Sequence, residues 1–69
     1  MVIKNLIGIR IQILRKSRGM SQVEFADKMG INPECICRIE QGKEDLTSDI
    51  LIKLAETLNV ELSEILVSF

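Results

Sequence analysis

The side chains of this chain that can do chemistry are charged and hydrogen-bonding groups gathered between Ser21 and Lys43. They suit recognition better than catalysis. The 69 residues include no histidine and only two cysteines, and neither a glycine-rich phosphate loop nor a metal-ligand cluster is present, so an enzyme is not expected and no cofactor or metal is assigned. If Ile36 and Ile39 face inward on a helix, the wheel turns Glu34, Arg38 and Gln41 outward and leaves Cys37 at the margin. Arg38 can then donate two hydrogen bonds to O6 and N7 of a guanine, and Glu34 can accept from N4 of a cytosine. The same pair, four residues apart with the acid first, also suits a plain surface salt bridge, and both readings stand. Cys35 and Cys37 diverge by about 200° on a helix, which disfavours a disulfide between them and suits two reduced thiols.

Two short helices must position these groups. Ser21 and Glu24 form a capping-box pattern, with the hydroxyl accepting from the Glu24 amide and the carboxylate reaching back to the Ser21 amide. Val23, Phe25, Ala26 and Met29 supply the apolar face of that helix, and Gly30 stands where a left-handed residue ends it cheaply. Asn32 is a preferred N-cap, and Pro33 loses nothing at the first helical position. Two starts within a dozen residues leave room only for a tight turn, the layout of a helix-turn-helix over residues 21–41 that lays its second helix in a DNA groove. Upstream, Ile3, Ile7, Ile11 and Leu14 form one helical stripe ending near Gly19. Ile7, Ile9, Ile11 and Ile13 also alternate as a strand would, but Leu14 breaks the alternation and no partner strand is visible. Downstream, a cap within Leu46–Asp49 precedes a fourth helix through Ile50, Leu51, Leu54, Ala55 and Leu58, ending at Asn59. Leu62, Ile65 and Leu66 form a short fifth.

Composition agrees with an all-α domain. The chain is expected to form a single unit over 1–69, burying roughly 60% of its unfolded surface. Its hydrophobic fraction is 46% against 3% aromatic, so the core must be aliphatic. No apolar run approaches the roughly 18 residues of a membrane span, and the N-terminus lacks the order of a signal peptide, so the expected location is cytoplasmic, without membrane contact. The net charge of −1 is unpromising for a nucleic-acid binder. It divides unevenly: residues 1–43 hold eight Lys or Arg against four acids, and residues 44–69 hold one Lys against six acids, giving +4 and −5.

These positions together resemble the Cro/repressor-type (XRE, lambda-repressor-like) helix-turn-helix family from about residue 7 to 66. The residues carrying the resemblance are Leu14-Arg15-Lys16, Gly19-Met20-Ser21-Gln22, Glu24-Phe25-Ala26, Gly30-Ile31, Ile36, Arg38 to Lys43, Leu54-Ala55 and Leu58-Asn59-Val60. The resemblance implies a compact five-helix DNA-binding domain and a regulator of transcription, binding double-stranded DNA as a homodimer on a near-palindromic operator. It implies a structural ion pair between Arg15 and Glu40, in which neither residue touches a base. It also implies phosphate contacts from Gln22, aided by Ser21 and the helix start, and from Gln41 and Lys43. The chain departs from the family at Pro33 and Glu34, where relatives often carry Gln or Ser. An interaction module of the same fold, antitoxin-like and with weak operator binding, is therefore the second reading.

One feature is left over. Val2, Leu6, Ile9 and Ile13 form a second apolar stripe on the first helix, and Val67 and Phe69 add apolar side chains at the other end. A helix apolar on two sides wants a partner, here a second copy or another protein. The bland alternative is that residues 1–6 are not helical, which leaves Ile9 and Ile13 as scattered surface residues.

Overall fold

The computed structural model describes residues 3–66. Within them the chain forms α1 (Ile3–Ser17), α2 (Gln22–Met29), α3 (Pro33–Glu40), α4 (Ser48–Leu58) and α5 (Leu62–Ile65), with no strand among the described residues. The alternation of isoleucines in α1 is thus helical, and it turns Ile7 and Ile11 into the core while Ile9 and Ile13 stay 41% and 51% exposed.

Local chemistry sets the helix ends. The Ser21 hydroxyl accepts from the Glu24 amide at 3.1 Å and the Glu24 carboxylate accepts from the Ser21 amide at 2.9 Å, closing the capping box. Those bonds hold the Glu24 carboxyl below its ordinary range, the bond from the Ser21 amide contributing most. A depressed carboxyl stabilises the fold above the ordinary carboxylate range and loses that contribution as pH falls through the lowered value, so this cap weakens in acid. Gly30 takes φ +70°, its amide donates to Asp27 O and the Ile31 amide to Ala26 O. This is the paired closure that satisfies orphan carbonyls, repeated at Asn59 (φ 56°) and Val60 on the end of α4.

Asn32 occupies the N-cap of α3 with extended backbone, yet its side chain makes no capping bond. The Cys35 amide that it would take donates instead to the Asn32 carbonyl at 2.9 Å. Val23 also departs from expectation: it is 59% exposed, and α2 buries only Phe25, Ala26 and Met29. At α5, Ile65 is fully buried, whereas Leu62 and, just past the helix, Leu66 are 37% and 47% exposed.

The core draws on every helix: Ile7 and Ile11, Phe25 and Met29, Ile36 and Ile39, Leu54 and Leu58, and Ile65. Ala26 is fully buried within it, in the helix that packs on α3. Gly8 permits a close approach that no sequence pattern announced. A Cβ there would lie 2.7 Å from the Glu40 carbonyl oxygen and closer still to that of Ile39, so α1 crosses the end of α3 with backbone against backbone.

Candidate nucleic-acid interface

Arg15 and Glu40 lock α1 to the end of α3. Arg15 Nε donates to Glu40 Oε2 at 2.6 Å and Nη2 donates to Oε1 at 3.1 Å, a two-pronged bond with both side chains under a tenth exposed. Nη1 donates to the Met20 carbonyl at 2.7 Å, so the guanidinium also braces the turn before α2. The bond to Glu40 raises the Arg15 pKa, against the opposing effect of burial. Stability drawn from a raised pKa is lost only as pH rises through it, above the range of any ordinary buffer.

Glu40 has a third partner that the sequence did not suggest. Gln22 Nε2 donates to Glu40 Oε1 at 3.1 Å, which fixes the orientation of a half-buried amide at the first residue of α2. A carboxamide carries two N–H donors, so this bond leaves one for a further acceptor. Ser21 sits beside it, exposed, with its hydroxyl committed to the capping box.

The remaining groups lie along α3 and the loop after it. With Ile36 and Ile39 in the core, Pro33, Glu34, Arg38, Gln41 and Lys43 are exposed and Cys37 is half-buried. Cys37 is not idle, because its Sγ accepts from Gln41 Nε2 at 3.5 Å, placing that amide over the last turn of α3. Arg38 Nε donates to Glu44 Oε1 at 2.8 Å, and Nη1 lies 3.8 Å from Glu34 Oε2. The bond to Glu44 is the main cause of a raised Arg38 pKa. Sequence reasoning does not single out Glu44; the one signal there is the glycine at position 42, which takes φ +74° where the chain turns back after α3.

Several basic residues of the first half have structural partners. Of the basic residues in the first 43, Arg15 is buried in its ion pair, while Arg10 Nε donates to the Glu64 carbonyl at 3.1 Å and Arg18 Nε to the Leu58 carbonyl at 2.7 Å. Three arginines therefore tie helices together: Arg15 is neutralised by Glu40, a pair that already cancels within the net +4, while Arg10 and Arg18 keep their charge at the carbonyl ends of α5 and α4. In the apolar stripe on α1, Leu6 is half-buried while Ile9 and Ile13 are exposed. The helical start at Ile3 removes the reading in which residues 3–6 are irregular. Val2, Val67 and Phe69 lie outside the described residues. Among the described residues, no group of His, Cys, Asp or Glu is arranged to hold a metal, and no helix is long and apolar enough to cross a membrane.

Five helices, with a tight αL turn between α2 and α3 and a polar outer face on α3, define a helix-turn-helix domain. The helix-turn-helix family model HTH_3 matches residues 11–65, and the chain belongs to that Cro/repressor-type family. It is 33% identical over 58 residues to the HTH-type transcriptional regulator RamB of Mycobacterium tuberculosis, covering 84% of this chain and 12% of RamB. It is 30% identical over 60 residues to the antitoxin PezA of Streptococcus pneumoniae, covering 87% of this chain and 38% of PezA. The chain thus spans well under half of either relative. The crystal structure of the restriction-modification controller protein C.AhdI from Aeromonas hydrophila superposes with a TM-score of 0.86 at 27% identity, covering 90% of this chain and 94% of that one.

Proposed function

We propose that the chain is a sequence-specific DNA-binding regulator of transcription that acts in the cytoplasm as a dimer on a near-palindromic operator, its half-sites about one helical turn apart. The observation that carries the reading is the outer face of α3. Arg38 stands there exposed, with Gln22 oriented at the start of α2 and Lys43 exposed beyond the end of α3. Arg38 reads a guanine from the major groove, while Gln22, Gln41 and Lys43 hold phosphates. The reading assigns no enzymatic activity and no cofactor.

Selection of the purified protein against random duplex DNA tests this directly, and the expected product is a motif with dyad symmetry. On that operator, Arg38→Ala should cost about 1–3 kcal/mol and relax preference at one base pair per half-site. Lys43→Ala should weaken all sequences alike and flatten the salt dependence by about one unit of slope. Binding indifferent to salt would count against a phosphate-held complex.

A second reading, a protein-interaction module of the same fold, is favoured by the two acids flanking Arg38, by exposed Ile9 and Ile13, and by the similarity to an antitoxin. It predicts no selected motif. The dimer has its own test: Ile13→Glu should shift sedimentation towards the monomer with helical content intact. A mass that stays dimeric would move the interface elsewhere, with exposed Leu62 of α5 and Leu66 just after it the next surface to alter.

A further inference from the structure

We infer that Glu44 is a specificity-determining residue, a carboxylate buttress that holds Arg38 in the pose for reading one guanine; this rests on the DNA-binding reading above. The turn after α3 builds the arrangement. The Gly42 amide donates to Ile39 O at 3.1 Å and the Lys43 amide to Arg38 O at 2.9 Å, so the chain folds back over the last turn of the helix. Gly42 has φ +74°, and a Cβ on it would overlap the side-chain amide of Asn5 in α1 and lie 2.9 Å from the Asn5 Cα, so the loop packs against the first helix as well. Glu44 emerges from this turn with its side chain 27% exposed, against 82% for Glu34.

The geometry decides between buttress and blockade. Glu44 Oε1 engages Arg38 Nε at 2.8 Å, the proximal nitrogen of the guanidinium. Glu34 reaches only to 3.8 Å from Nη1, beyond hydrogen-bond distance. The distal fork, with its Nη1 and Nη2 donors, is therefore not consumed by Glu44, and it is the part that can meet O6 and N7 of a guanine together. A long side chain 45% exposed would otherwise lose rotamer freedom on binding. The carboxylate removes part of that cost for the guanine-bearing site. It also sets a negative charge near the DNA backbone, which lowers affinity for every sequence. The first effect widens the gap between operator and random DNA, whereas the second lowers both affinities alike.

The test is binding of full-length wild type, Glu44→Ala and Glu44→Gln to the selected operator, to the operator with the Arg38-facing guanine replaced, and to random duplex at matched salt. Thermal melts confirm folding. In Glu44→Ala the preference for guanine over its replacement should fall about tenfold while affinity for random duplex rises. Glu44→Gln keeps an acceptor oxygen without the charge, so it should retain most of the base preference while gaining the same non-specific affinity. Unchanged base preference in Glu44→Ala overturns the buttress, and so does a rise in operator affinity with preference intact, which marks Glu44 as a simple competitor. A wild type that selects no sequence overturns the DNA-binding reading and this inference with it, and is told apart because the wild-type arm itself fails.

Discussion

Arg15→Ala is expected to destabilise the fold by about 3–5 kcal/mol, because it leaves the Glu40 carboxylate buried without its cation. A domain of this length holds roughly 3–10 kcal/mol in total, so the variant should be largely unfolded at physiological temperature. The effect is large for a structural reason. Glu40 is 8% exposed and accepts three hydrogen bonds, two of them from Arg15, and Arg15 also braces the Met20 carbonyl. Urea unfolding followed by circular dichroism measures the loss. A midpoint within experimental error of wild type would mean that water reaches Glu40 freely. The double variant Arg15→Met, Glu40→Leu supplies the contrast. Removing both charges for apolar groups of similar volume is often neutral for stability, so the double variant should be clearly more stable than Arg15→Ala. It should still bind DNA less well, because Gln22 loses the acceptor that orients it.

Gly8→Ala should cost about 2–3 kcal/mol, although alanine within a helix ordinarily gains about 1 kcal/mol over glycine. The added methyl would press on the carbonyl oxygens of Ile39 and Glu40. Neither is the end of a flexible side chain, so α1 must shift away from α3. That shift would also disturb the Arg15 to Glu40 bond, two turns further along α1. Gly8→Val should be worse. A melting temperature equal to or above wild type for Gly8→Ala would show that the two helices separate without cost, and would remove close crossing as the reason for glycine.

The two expectations contrast in how visible they are from sequence. The ion pair is implied by family resemblance, and the helical wheel already places Glu40 on the inward side, where it needs a partner. Nothing in the order of residues around Gly8 distinguishes a close crossing from a helix-weakening glycine, and the isoleucine alternation there even suggests a strand. Asn32 fails differently. Its residue type is right for a cap, yet the backbone closes the first turn of α3 through the Asn32 carbonyl itself. Val23 carries an apolar side chain on a short helix whose buried face is already filled by Phe25, Ala26 and Met29.

The sequence by itself determined where the helices start and stop, most of the residues that fill the core, though not the exposure of Val23, Leu62 and Leu66, and which face of α3 looks outward. Those properties depend on capping bonds, left-handed turns and the 3.6-residue period, all of which act within a few residues. Tertiary structure alone decided the partners of the polar groups: Gln22 with Glu40, Arg38 with Glu44, and Arg10 and Arg18 with carbonyls far along the chain. It also decided that three arginines of the first half hold helices together. The reason is physical. A side chain's partner is set by the approach of elements distant in sequence, and a long flexible arginine can satisfy its donors in many directions until packing leaves it one.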